Sequence, residues 1–218
     1  MIRRNVNAWL AENGTLTGDI TVQFQGMEAL ERRLGARGTD DAGKKLDLEN
    51  ELKQWLPAGA EVKLIDVKGW EESETPLVAT FSLEVPVYAS SAGKRLLVPA
   101  YLFQVRQKDA FNHPERKYPF YFSYAFAEVD VVSIKIPDGF SLEGVPPQQA
   151  ARVSYATYQN TSQLDAGKLI TQRALLFNGI YLPVEKFSEL KDFFGKVKAG
   201  DDQQVVLRVG VANAQKNN

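Results

Sequence analysis

Lys117-Tyr-Pro-Phe-Tyr-Phe-Ser-Tyr-Ala-Phe126 sets a ring at every second position: Tyr118, Phe120, Phe122, Tyr124 and Phe126. Two residues is the side-chain repeat of a β-strand, so these rings share one face and Pro119, Tyr121, Ser123 and Ala125 the other. Such a face either builds a core or stacks on a flat ligand. Each aromatic side chain buries roughly 150–250 Å², and a sheet needs such a face to hold a partner layer, which favours the core. Three or more rings lining an open groove would favour binding, and enclosure of all five would exclude it.

Upstream of this run the chain opens as a hairpin. Val6, Ala8 and Leu10 alternate, Glu12-Asn-Gly-Thr15 is an Asn-Gly turn, and Leu16, Ile20, Val22 and Phe24 return. Gly18 interrupts the return strand and marks a possible bulge. Met27, Leu30 and Leu34 recur at helical spacing; after Asp40-Asp41, so do Leu48, Leu52, Trp55 and Leu56, ending at Pro57. Val62 to Val67 reads as a strand and Gly69 to Pro76 as an acidic loop. Ala79, Phe81, Leu83, Val85 and Val87 share one face of a long strand, where Pro86 requires an edge or a bulge. Ser90 to Gly93 is a turn and Leu96 to Val98 a short strand.

The apolar pattern breaks over residues 104–117, which places a soft boundary near residue 110. The expected units are therefore 1–110, β-rich with a helical insertion, and 111–218, β-rich with one amphipathic helix. In the second unit Val129 to Ile136 is a strand closed by the Pro137-Asp-Gly139 turn. Val153 to Tyr158 and Leu169 to Phe177 form a hairpin across a polar loop, Gln159 to Gly167. Phe187, Leu190, Phe194 and Val197 mark a helix, Gln204 to Val211 is the last strand, and Gln215 to Asn218 is a frayed tail. The fold class expected is mainly β (α+β): antiparallel, sandwich-like sheets with a helical insertion in each half.

Composition removes several kinds of function. In 218 residues, 26 basic and 27 acidic side chains give a net charge of −1, and Arg3-Arg4, Arg32-Arg33 and Lys44-Lys45 are isolated pairs. Nucleic-acid binding needs a denser basic footprint. Without cysteine there is no disulfide, thiolate zinc site or cysteine nucleophile. No run approaches the roughly 20 apolar residues of a transmembrane helix. Residues 1–10 lack the apolar core of a signal peptide, so the chain is either cytosolic or a segment of a longer exported one.

The residues that carry most enzyme chemistry are sparse. His113 is the one imidazole, and no G-x-S-x-G elbow accompanies it. Gly93-Lys94 lacks the other residues of a phosphate loop. Glu71, Glu72, Glu74, Asp40-Asp41 and Asp201-Asp202 are loop clusters, which helix capping and solvation explain. None has the spacing of an EF-hand. The expectation is no enzyme: no catalytic residue, no cofactor and no metal. Candidate ligand contacts are Trp70, beside Glu71-Glu72, and Tyr118, Tyr121 and Tyr124, which add hydroxyls to their rings.

Ordered short stretches resemble the C-terminal region of bacterial transglutaminase-like proteins. They are Asn13-Gly-Thr-Leu-Thr-Gly18, Gly26-Met-Glu-Ala-Leu-Glu-Arg-Arg33, Arg116-Lys-Tyr-Pro-Phe120, Ile136-Pro-Asp-Gly139, the helix from Leu182 to Phe193, and Gln203-Gln-Val-Val-Leu207. Pro76 before a long strand belongs to the same series. The resemblance implies an accessory segment, a domain of unknown function, following a papain-like catalytic domain in the parent chain. It also implies a periplasmic or extracellular location. With no cysteine here, no catalytic residue carries over. The expected role is a non-catalytic module that positions substrate or partner; the alternative is a carbohydrate- or peptide-binding module using the aromatic strand.

Overall fold

Alternation along Ile2–Leu10 (β1) and Leu16–Phe24 (β2) drives the first hairpin, burying Val6, Ala8, Leu10, Leu16, Ile20, Val22 and Phe24 on one side. The computed structural model describes residues 1–104, 111 and 115–210. Gly14 (φ +85°) makes the turn, and a side chain there would strike the carbonyl of Ala89. Gly18 forms no bulge: Ala8 pairs with it in unbroken register, and a Cβ at this position would meet the backbone of Asn7.

Met27–Gly35 (α1) and Asp41–Trp55 (α2) follow, the second capped by Asp40, whose carboxylate accepts from Gly43 N at 2.7 Å. Glu61–Lys68 (β3) and Leu77–Val85 (β4) extend the sheet. Contrary to the strand expected through Val87, β4 stops at Val85. It lies between β2 and β3, where Pro86 could not donate to the ladder, and Val87 turns out to solvent at φ +54°.

The remaining strands are Ser90–Ala92 (β5), Arg95–Pro99 (β6), Phe120–Tyr121 (β7), Phe126–Lys135 (β8), Phe140–Gly144 (β9), Gln149–Val153 (β10), Ala156–Asp165 (β11), Lys168–Phe177 (β12), Tyr181–Leu182 (β13) and Gln204–Val209 (β14). Phe187–Asp201 is the third helix, α3. The expected loop from Gln159 to Gly167 is instead most of β11. Its polar Gln159, Thr161 and Gln163 alternate with Asn160, which is buried and bonded to Gln149 N and Gly200 O, so polarity here marks a sheet face and not a loop.

Eight strands form one sheet in the order β10-β11-β12-β8-β1-β2-β4-β3, and four form a second, β5-β6-β14-β9. All pairings are antiparallel except β1 with β8. The fold is thus mainly β with three helices, and among the described residues the long sheet does not close into a barrel. The boundary expected near residue 110 lies outside the described residues. Across it, β8 pairs with β1, so the long sheet draws strands from both stretches.

One face of the long sheet carries two cores. Over β1, β2 and β4, the four-stranded sheet supplies Leu96, Val98, Val205 and Leu207, and α2 with its C-cap residue supplies Leu48, Leu52 and Leu56. Over β11 and β12, α3 packs Phe187, Leu190, Phe193 and Val197 onto Tyr158, Leu175 and Phe177. Between them runs a seam of buried charge in which Arg4, Asp130 and Arg173 lie directly across neighbouring strands. Arg173 grips Asp201 of α3 at 2.9 and 3.0 Å and reaches Glu128 at 2.9 Å. Tyr158 donates to the same Asp201 at 2.8 Å, and burial pushes that carboxyl above its ordinary value despite Arg173. The opposite face of the long sheet is lined by polar side chains such as Asn5, Asn7, Thr17 and Asp19 and has no covering layer among the described residues.

Candidate functional site

The aromatic run does not form the single strand its spacing predicts. Phe120 and Tyr121 pair with β13 as β7, the chain is irregular from Phe122 to Ala125, and Phe126 opens β8 opposite Phe177. The cause is a change of layer. Phe120 points into the second core, stacked on Phe187 at 5.7 Å, whereas Phe126 has entered the long sheet beside Phe177 at 5.3 Å. Alternation survives within the run: Phe120 is buried, Phe122, Tyr124 and Phe126 are half-buried, and Tyr118 is 76% exposed. The five rings are therefore neither enclosed together nor arranged along an open groove.

Tyr121 faces the other way and is also 76% exposed. Its strand partner is Tyr181, and the two rings lie 5.0 Å apart, with Ile180 exposed next to Tyr181. Phe120 and Leu182 anchor the inner side of this two-stranded ribbon in the second core. Arg116 lies 3.7 Å over the ring of Phe120 and donates to the carbonyl of Tyr118 at 3.1 Å. An outward tyrosine pair on an anchored ribbon offers flat apolar faces with hydroxyls at their rims, as ring-shaped or peptidic ligands require.

Tyr124 and Trp70 both relate to α1. The Tyr124 hydroxyl donates to Glu31 at 2.7 Å, and burial together with the Glu31 and Glu28 carboxylates raises that phenol above its ordinary value. Trp70 is half-buried against the first core, with the Lys44 ammonium 5.7 Å from its ring. Its loop is clasped by Arg33 of α1, which donates to Gly69 O at 2.7 and 3.0 Å and to Thr75 O at 2.7 Å. Thus Tyr118 and Tyr121 share the ribbon region, while Tyr124 and Trp70 belong to the surroundings of α1.

That helix is inverted relative to the usual amphipathic arrangement. Met27, Leu30 and Leu34, the residues whose spacing predicts the helix, are 46%, 41% and 44% exposed, and Glu28 and Ala29 are buried. Arg32 explains the orientation. It pairs with Glu28 at 2.9 Å and with Glu51 of α2, and its guanidinium sits 3.8 Å over the ring of Phe24. The inward face is an ion-pair cluster capped on an aromatic ring, so the apolar stripe is left to solvent. The sequence signal was Glu28 and Arg32, an i,i+4 pair beside the small Ala29.

The outward direction of Trp9 has a local cause. It follows from the alternation of β1, which sends Val6, Ala8 and Leu10 inward and Trp9 outward, 53% exposed. Several members of the acidic clusters have partners: Asp40 caps α2, Glu72 accepts from Thr75, Asp201 joins the buried seam and Asp202 pairs with Lys198. His113 lies outside the described residues. Among the described residues no group of three or more metal-binding side chains is assembled, and no helix is long and apolar enough to cross a membrane.

Comparison with known proteins gives one family. Residues 94–207 match the profile described as Domain of Unknown Function with solved-structure structure (DUF3858). No curated protein matches the chain. Among solved structures, it is similar to a "putative protease" from Parabacteroides distasonis, with 10% identity and a TM-score of 0.45, over 54% of this chain. The match spans 24% of that protein's length.

Proposed function

This chain belongs to the DUF3858 family, and we propose that it is a non-catalytic accessory module of an exported, bacterial transglutaminase-like protein. In this role it sits in the periplasm or outside the cell and positions a substrate or partner beside the catalytic domain. The observation that carries the proposal is the outward stripe of Met27, Leu30 and Leu34 on α1. A helix held by Arg32 and Arg33 cannot roll this stripe inward, so association with another surface is what removes it from water. Methionine and leucine at that spacing suit an adaptable apolar contact. The resemblance of the ordered segments to the C-terminal region of transglutaminase-like proteins supplies the partner. The buried carboxylates favour a structural role, because Glu128, Asp130 and Asp201 are each committed to Arg4 or Arg173.

The test is sedimentation of the purified chain with a transglutaminase-like catalytic domain supplied as a separate polypeptide. A one-to-one complex is expected, weakened about tenfold or more by Leu30→Arg. A complex indifferent to that substitution, or none at all, removes the proposal.

The exposed pair Tyr121 and Tyr181 favours a second reading, a carbohydrate- or peptide-binding module with Tyr118 at its margin. Titration with a soluble oligosaccharide or a short peptide, repeated with Tyr121→Ala, distinguishes it: binding that survives the substitution excludes the ribbon.

A further inference from the structure

The outer face of β1, β2, β4 and β3 holds an arrangement that neither role above uses. An open cleft of about 320 Å³ is lined there by Trp9, Asp19, Glu61 and Glu84 among others. Strand register explains why these side chains meet. Trp9 lies opposite Thr17, Thr17 opposite Glu84 and Glu84 opposite Glu61, so one row crosses four strands. The next row brings Asp19 beside Ser82, and Ser82 beside Lys63.

Glu61 and Glu84 are the unusual pair. Like charges directly opposite on neighbouring strands destabilise a sheet. Neither carboxylate, nor Asp19, has an ion-pair or hydrogen-bond partner among the described residues. Three carboxylates against the single cation of the cleft, Lys63, leave two net negative charges on a chain that is almost neutral overall. The buried carboxylates Asp130 and Asp201 are by contrast paired with arginine. At the exposed Glu61 and Glu84 the described residues provide no such partner, which leaves the pair open to a cation from outside.

We infer that this sheet face is a docking site for a cationic segment of an extended polypeptide. One lysine or arginine side chain enters between Glu61 and Glu84 and cancels their repulsion. The exposed indole of Trp9, two strand spacings or about 10 Å from Glu84, receives a second cation or its aliphatic stem. Thr17 supplies a hydroxyl between them, and Ser82 another in the next row. Among the described residues these carboxylates do not assemble a group that could hold a metal ion. A neutral sugar would stack on Trp9 but leave the carboxylate repulsion in place, so charge complementarity selects the basic peptide. This site is separate from the α1 stripe, and its failure or success leaves the accessory role untouched.

Fluorescence anisotropy with labelled tetralysine, on the full chain, tests the assignment. Saturable binding is expected, weakening as salt is raised, because exposed charges are screened beyond about 8 Å at physiological ionic strength. Glu84→Gln and Trp9→Ala should each weaken it about tenfold. Glu84→Gln should leave thermal stability equal or higher, since it relieves a like-charge contact; a residue retained for structure would lower it. Should Trp9→Ala fail to fold, Trp9→Leu replaces it. The inference is overturned if tetralysine does not bind, if both variants bind it as the parent does, or if tetraserine or cellotetraose binds equally well.

Discussion

Arg4 donates to Asp130 through two guanidinium nitrogens, at 2.6 and 3.1 Å, across the parallel pairing of β1 with β8. The pair is buried beneath Trp55 and Phe103, whose rings lie 5.1 and 4.5 Å from the Arg4 guanidinium. Charge taken out of water at this depth is tolerated only when matched. The pair therefore fixes which residue of β1 faces which residue of β8. A slip of one residue would turn Arg4 to the opposite face, away from Asp130.

Asp130→Ala is expected to destabilise the chain by about 3–5 kcal/mol, because Arg4 then remains buried without its main partner. Urea unfolding measures the loss. Replacing both partners by apolar residues, Arg4→Met with Asp130→Leu, should recover most of it. A double variant no better than Asp130→Ala would show that the seam does more than neutralise itself.

Glu128 gives a pH signature. Burial alone would raise its carboxyl, but Arg4 and Arg173 outweigh that effect and hold it below the ordinary value of 4.5. Its contribution to stability is thus present above that value and lost as pH falls through it toward the folded-state value. Asp201, raised above 3.8, carries the opposite sign: its contribution is present at low pH and is lost as pH rises through its folded value. Comparison with Glu128→Gln isolates the first group. The parent should be the more stable at pH 7 and the difference should shrink on acidification, as urea midpoints at the two pH values will read. A difference constant with pH contradicts the assignment.

Along the aromatic run, three truncations should separate cleanly. Phe120→Ala, in the second core between Phe111 and Phe187, is expected to cost about 3–5 kcal/mol. Phe122→Ala, half-buried with its ring 4.5 Å from that of Phe177, should cost about 1–3 kcal/mol. Tyr121→Ala, on the open side of the ribbon, should stay under about 1 kcal/mol. Thermal unfolding ranks them, and equal losses at all three would refute the split of this segment between layers.

The inverted helix makes a sharper claim about side-chain direction. Leu30→Ser should change the stability of the isolated chain by no more than about 0.5 kcal/mol, since the side chain already meets water. Leu52→Ala on α2, 1% exposed, should cost about 2–5 kcal/mol. If Leu30→Ser proved as costly as Leu52→Ala, α1 would pack with its apolar side inward.

Local physics was enough for much of this protein. Alternation and the Asn13-Gly14 turn determined the first hairpin; the spacing of Leu48, Leu52 and Leu56 determined α2 and its buried side; Asp40 determined where that helix starts. The mainly β class followed from the number of such segments. These features depend on residues within a few positions of one another, where backbone geometry dictates which side chains share a face. Tertiary structure alone decided the rest. The pairing of β1 with β8 joins residues 126 apart at Arg4 and Asp130, and no periodicity encodes so distant a partner. Likewise, the direction of Met27, Leu30 and Leu34 was settled by Glu51 and Phe24, which draw Arg32 inward. The meeting of Trp9 with Glu61 and Glu84 required four strands to align, because a surface site is made by register between strands and not by the order of residues within one.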